Sequence, residues 1–112
     1  MLLLLTIYVA AGLLMAGLAI PMIKGWLNPN PYYGFRVQAT LDDPAVWFPA
    51  NRYAGWRLLV AGLVIAAAAV VFYWLPGQEL ERFAYSCLAA TAIALGWAIL
   101  SSFLYLRRLT AK

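Results

Sequence analysis

The sequence predicts an all-α integral membrane protein, a three-helix bundle with a structured loop and a short interfacial helix between its first two spans. Hydrophobic residues make up 66% of the 112 residues and charged residues 11%, a composition suited to lipid rather than to a water-soluble core. Three apolar runs, at 2–23, 53–75 and 83–106, approach or exceed the roughly 20 residues that cross a hydrocarbon layer of about 30 Å. We expect a single membrane domain over residues 1–112, with a motif loop at 24–52.

Helices are the expected form of these runs, because lipid offers no partner for free backbone N–H and C=O groups and a closed barrel needs at least about eight strands. Arg57, near one end of the second run, is the only formally charged side chain in the three, and its long stem lets the guanidinium reach the interface. The first run has no basic segment before it and is longer than the apolar part of a typical signal peptide. We therefore expect it to be retained as a helix.

Small residues at four-residue spacing occur in all three runs, and they allow helix backbones to approach closely where lipid supplies no hydrophobic drive for association. We expect these pairs to form packing faces within the bundle or between protomers. The pairs are Gly12 with Ala16, Gly62 with Ala66, and Ala92 with Gly96.

Basic residues predict the orientation, since Lys and Arg in short loops tend to stay on the cytoplasmic side. With three spans, the motif loop and the C-terminal tail share one side of the membrane, and the other side holds Arg82 beside Glu79 and Glu81. We therefore expect an N-terminus outside the cell, with the loop 24–52 and the C-terminus in the cytoplasm. The predicted cytoplasmic cations are Lys24, Arg36, Arg52, Arg57, Arg107, Arg108 and Lys112.

Charge and residue usage exclude several classes of function. The net charge of +4 is explained by this topology and by the attraction of basic juxtamembrane residues to anionic lipids, so it is no evidence for nucleic acid binding. Cys87 is the only cysteine and histidine is absent, which argues against a thiolate metal cluster, a histidine-dependent zinc site and a catalytic triad. No carboxylate lies at membrane depth for proton-coupled transport. We expect no catalytic residues, no metal and no cofactor.

The segment between the first two spans is polar and aromatic, and its residues predict a built loop. Pro29 and Pro31 deny helical geometry to the residues before them, while Gly34 permits conformations closed to other residues. Asp43 is placed as the N-cap of a helix that has Pro44 at its first position. We expect this interfacial helix to continue into the second span.

That helix places Trp47, Asn51 and Gly55 on one face, at positions i, i+4 and i+8. Trp47 is expected at the membrane interface, and Gly55 leaves room for another backbone. Arg52 on the next face, and Arg36 in the loop, can each meet an acidic side chain, a lipid phosphate or a loop carbonyl. The candidates for ligand or partner binding, or for loop scaffolding, are Asn30, Gly34, Arg36, Thr40, Trp47, Asn51, Arg52 and Gly55.

In order and spacing these residues resemble the SdpI-like bacterial membrane proteins, and the whole chain resembles the C-terminal three-helix unit of the longer members. The resemblance implies a bacterial cell membrane protein that confers immunity to, or senses, a membrane-active peptide toxin. In the founding system it also implies a signal receptor that holds a transcriptional repressor at the membrane. The shared pattern is Asn30-Pro31, Gly34-x-Arg36, Thr40-Leu41, and then Trp47-x-x-x-Asn51-Arg52-x-x-Gly55.

Other functions stay open from the sequence. Three helices enclose a pore only after oligomerising, which is compatible with a small oligomeric transporter or channel subunit, and the small-residue faces suit an accessory subunit of a larger membrane complex. An enzyme that uses Asp42 or Asp43 ranks last, because helix capping explains both residues. The expected partners are membrane lipids, a peptide toxin or a cytoplasmic regulator, and further copies of the chain in a homo-oligomer.

Overall fold

The structure, a computed structural model, describes residues 1–111 and consists of four helices. Helix α1 spans Leu2–Lys24, the short α2 spans Gln38–Leu41, α3 spans Pro44–Tyr73 and α4 spans Leu80–Thr110. Helices α1, α3 and α4 are long and apolar enough to cross a membrane, and the described part of the chain contains no strand. The predicted all-α, three-span fold class is confirmed, and this is the architecture of a multi-pass membrane protein.

Helix α3 begins well before the apolar run that it contains. Asp43 accepts a hydrogen bond from the backbone N–H of Ala45 at 2.9 Å, and Pro44 occupies the first helical position. The predicted interfacial helix is therefore the first part of α3, continuous with the second span, as the Asp-Pro start signal indicates. The four-residue α2 was not predicted, since so short a segment has no hydrophobic period to detect.

Helix α3 is central, because α1 and α4 pack mainly on it rather than on each other. At the end away from the loop, Leu4 and Tyr8 of α1 pack against a cluster formed by Ala69 of α3 with Phe83 and Cys87 of α4. At the loop end, the loop itself contacts α4 through Phe35. The loop and the C-terminal end of α4 thus lie at the same end of the bundle, as three spans require.

Helices α1 and α3 approach closely where two glycines face each other. A Cβ built on Gly12 would lie 2.9 Å from the backbone nitrogen of Ala66 and closer still to the carbonyl oxygen of Gly62. A Cβ built on Gly62 would lie 3.0 Å from the backbone nitrogen of Ala16. All four residues are buried. The packing faces predicted for the first two spans are therefore present within the bundle.

Helix α4 packs through different residues from those predicted. Ala92 and Gly96 are exposed, and a Cβ on Gly96 would meet no atom within 4 Å. The buried small residues of α4 are Ala94, Ala98 and Ser102, which follow each other at four-residue spacing. Of the two roles expected for Ala92 and Gly96, packing within the bundle is absent from the described residues, and contact between protomers stays a prediction.

We expect Gly12→Ala or Gly62→Ala to lower the free energy of unfolding by about 1–3 kcal/mol, because the added Cβ forces the two backbones apart. Gly96→Ala is the matched control, since its Cβ enters open space and alanine favours a helix over glycine. Titration of detergent-solubilised protein with sodium dodecyl sulfate, followed by circular dichroism, measures each difference. Equal losses at Gly12 and Gly96 would contradict this account of the α1–α3 contact.

Candidate functional site

The loop begins at a capped end of α1. Gly25 adopts the left-handed conformation, with φ 73° and ψ 24°, and it and the next residue donate back to carbonyls of the last turn, as in a Schellman motif. Arg52 of α3 provides a further partner, because its Nε donates to the carbonyl of Ile23 at 3.2 Å. Of the partners expected for Arg52, the one present is a backbone carbonyl. This contact also places a cation at the negative end of the α1 dipole.

Asn30 organises the first turn of the loop through its side-chain amide. Its Oδ1 accepts hydrogen bonds from the N–H groups of Tyr32 at 2.9 Å and Tyr33 at 2.8 Å, and its Nδ2 donates to the carbonyl of Tyr33 at 3.2 Å. Asn commonly stabilises turns in this way. Arg36 reaches back to the same turn and donates to the carbonyl of Pro31.

Tyr33 joins the loop to α1 and roofs a groove. Its hydroxyl donates to the carbonyl of Leu18, and burial raises the pKa of Tyr33 above its ordinary value. Beneath it lies a largely apolar groove of about 430 Å³ between α1, α3 and α4. Phe35 and Phe103 of α4 both line the groove, and their rings form a T-shaped pair with 5.0 Å between centroids.

Asn51 ties the loop to α3. Its Oδ1 accepts a hydrogen bond from the N–H of Phe35 at 2.7 Å, and its Nδ2 donates to the carbonyls of Phe35 at 3.3 Å and Trp47 at 3.0 Å. The side chain is buried, with 2% exposed, so these bonds form in a low dielectric where pairing matters more. One amide thereby pairs both backbone polar groups of a loop residue.

Two further buried side chains fix the loop on either side of Asn51. The Nε1 of Trp47 donates to the carbonyl of Leu27 at 2.9 Å. The Thr40 hydroxyl lies 2.8 Å from the carbonyl oxygen of Phe35 and accepts from the N–H of Val37 at 2.9 Å. In the part of the chain that the structure describes, no buried side-chain nitrogen or oxygen lacks a hydrogen-bond partner. The buried polar side chains that hold the loop are therefore all paired.

Two glycines permit the close contacts of this region. Gly34 has φ 109°, a conformation that side chains disfavour, and a Cβ there would lie 2.6 Å from Oδ1 of Asn51. A Cβ on Gly55 would lie 2.9 Å from Cγ1 of Ile23 and 3.1 Å from the carbonyl oxygen of Ala19. Gly34 thus makes room for the Asn51 amide, and Gly55 for α1.

The predicted site residues lie at the loop end of the bundle, where most of them help to hold the loop, while Arg52 bonds to the end of α1 and Gly55 packs against α1. Scaffolding is the role that their contacts support, whereas ligand or partner binding stays a prediction. Their partners are mostly backbone carbonyls, at Leu27 and Ile23 for example, and a carbonyl carries no signal in the sequence. Sequence reasoning also missed Tyr33 and Phe35, because an aromatic residue in an aromatic loop gives no signal of a specific contact.

The fold and the site define a class: multi-pass membrane proteins in which a motif loop is folded onto one end of three apolar helices. This chain belongs to the SdpI/YfhL protein family, whose model matches residues 26–105. The match takes in the loop, α2, all of α3 and most of α4, and it confirms the resemblance noted in the sequence.

A related sequence is the Bacillus subtilis (strain 168) protein named "Uncharacterized protein YfhL". It is 40% identical over 37 residues, which make up 33% of this chain and 34% of that protein. The match thus covers about a third of that relative's length. No solved structure matches the chain.

We expect Asn51→Leu to loosen the loop, because the N–H of Phe35 loses its partner at a cost of about 1–3 kcal/mol. Hydrogen exchange measured by mass spectrometry should rise for residues 33–40 in lipid nanodiscs. Asn28→Ala is the control, since the Asn28 side chain is exposed and makes no hydrogen bond in the described residues. Unchanged exchange in Asn51→Leu would show that the amide does not hold the loop.

Proposed function

We propose that this chain is a non-enzymatic bacterial cell membrane protein of the SdpI type, which confers immunity to, or senses, a membrane-active peptide toxin. The observation that carries the proposal is the motif loop, held by side-chain hydrogen bonds against one end of three apolar helices. In the described residues, Arg36, Asn51 and Arg52 donate to backbone carbonyls instead of flanking a nucleophile. Such an arrangement supports a recognition surface more than a reaction centre.

Charge supports a cytoplasmic location for the loop, because Lys and Arg tend to remain on that side. The opposite end combines Arg82 with two carboxylates, Glu79 and Glu81. With the loop inside, an external peptide first meets the lipid-facing helices or the α3–α4 connection, and the loop is presented to a cytoplasmic regulator. The cations at the loop end are Lys24, Arg36, Arg52, Arg57, Arg107 and Arg108, and the predicted cation Lys112 lies outside the described residues.

A subunit role in an oligomeric transporter or in a larger membrane complex is the second candidate. It is favoured by the exposed Ala92 and Gly96, since exposed small residues on a spanning helix allow another helix to approach closely. Such a subunit would act through its partner rather than by meeting a toxin.

The orientation predicts that a cysteine at Gln38 is protected in intact cells. Gln38→Cys in a Cys87→Ser background should not react with a membrane-impermeant maleimide in intact cells, because the loop faces the cytoplasm. It should react after lysis, because Gln38 is exposed. Glu79→Cys in the same background is the control, and it should label in intact cells from the opposite end. The reverse pattern would overturn the topology and make the loop residues candidates for direct capture of an external peptide.

For immunity, we expect cells that express the chain to survive a secreted membrane-active peptide better than cells with an empty vector. A panel of such peptides is needed, and survival with membrane depolarisation is the readout. Asn51→Leu should reduce protection if the loop is required, whereas Asn28→Ala should preserve it. Equal survival with and without the chain across the panel would count against immunity and favour the subunit role.

A further inference from the structure

Arg57 is held among aromatic rings on the face where α3 meets α4. Its guanidinium carbon lies 4.6 Å from the ring centroid of Tyr53 and 4.9 Å from that of Trp97, and its Nη2 donates to the Tyr53 hydroxyl at 2.7 Å. Tyr53 in turn stacks on Tyr105 of α4, with 4.2 Å between centroids and 1° between ring planes. Cation–π contacts on two rings orient the guanidinium.

No carboxylate lies near Arg57 in the sequence of its own helix, and the one carboxylate of α4, Glu81, is in the first turn of α4 at the opposite end of the bundle. Residues 44–78 and 82–112 contain no acidic side chain, and Asp43 lies about 21 Å away along the helix axis at 1.5 Å per residue. The guanidinium carries five N–H donors, and in the described residues its hydrogen-bond partner is Tyr53. A guanidinium without a carboxylate partner at the membrane interface attracts anionic lipid headgroups.

A cationic and aromatic cavity of about 360 Å³ adjoins Arg57 on the loop side. Arg52 and the hydroxyl-bearing Tyr53 and Tyr105 contribute to its walls, together with Trp56. The Tyr53 hydroxyl accepts from Arg57, so its own proton is available to a second acceptor. The Arg52 guanidinium and the Tyr53 phenol thus line this volume, and the Arg57 guanidinium lies next to it, bonded to the Tyr53 hydroxyl. Guanidinium and hydroxyl donors of this kind suit a phosphate group.

An apolar groove of about 280 Å³ continues along the same two helices on the other side of Arg57. Trp97 belongs to both features, because it contacts the guanidinium and also forms one wall of the groove. The groove is lined by apolar side chains alone, at Val60, Ala61, Val64, Ile93, Ala94 and Trp97.

We infer that this face binds an anionic phospholipid from the leaflet at the loop end. The phosphate group accepts hydrogen bonds from Arg57, Arg52 and the Tyr53 hydroxyl, and one acyl chain lies in the groove beyond Trp97. The uncompensated positive charge selects an anionic headgroup over a zwitterionic one, and the groove selects a lipid over a soluble phosphate. This site lies on the α3–α4 face and does not depend on the proposed toxin response.

Native mass spectrometry tests the site with the full chain. The purified protein is offered phosphatidylglycerol and phosphatidylcholine with matched acyl chains, and we expect a preference for phosphatidylglycerol of about fivefold or more, since each basic residue near a headgroup contributes about fivefold in affinity. Glycerol phosphate should fail to displace the lipid. Equal retention of the two lipids, or ready displacement by glycerol phosphate, would overturn the proposal.

Two substitutions that each remove one positive charge, and one that keeps the charge, locate the site. Arg57→Gln should lose about fivefold in preference, whereas Arg107→Gln, which removes the same charge from an exposed position at the same end, should keep the wild-type preference. Arg57→Lys retains the charge but cannot hold a phosphate through two parallel N–H groups, so its preference should fall below the wild-type value. Equal losses at the two arginines, or an unchanged preference in Arg57→Lys, would overturn the assignment.

Discussion

The structure depends on pairing the backbone polar groups of a chain that leaves one apolar helix and enters the next. Unpaired N–H and C=O groups are costly wherever water is scarce, and the first turns of α3 supply the missing partners. Trp47 bonds to the carbonyl of Leu27, and Asn51 bonds to both backbone groups of Phe35. Because these side chains lie on one helical face, the loop can take this shape only when α3 has formed.

The arginines at the loop end of the bundle make two different kinds of contact. Arg36 and Arg52 bond to carbonyls of the loop turn and the α1 terminus, where they stabilise the local fold. Arg57 instead meets two aromatic rings and donates to the Tyr53 hydroxyl, and Arg52 also lines the cavity beside Tyr53. Three arginines at one end of a bundle are therefore not equivalent, although positive-inside topology alone treats them as equal.

The sequence predicts the helices and one face of the site well, because both rest on local rules. Apolar length defines three spans, and Asp43 with Pro44 fixes the start of α3. The spacing of Trp47 and Asn51 places them on one buried face. The hydrogen-bond partners of these side chains cannot be predicted from the sequence, because every residue has a backbone carbonyl and only the fold brings that of Leu27 to Trp47.

The contacts of small residues in the helices are also only partly predictable from the sequence. In α4 they occur on several faces, so the spacing of Ala92 and Gly96 is as regular as that of Ala94 and Ala98. The tertiary arrangement decides which pair is buried, and it is the second. In α1 and α3 the predicted pairs are the buried ones, because Gly12 and Gly62 face each other where the two backbones meet.

The way in which Arg52 caps α1 has a consequence for biosynthesis. The hydrogen bonds that shape the loop are made by residues up to Arg52. Gly62, which faces Gly12 of α1, follows ten residues later in α3. A hairpin of α1, loop and α3 can thus be completed while α4 is still being translated. Helix α4 then docks on the surface that this hairpin has already formed. Another chain can compete with α4 for that surface at this stage of assembly.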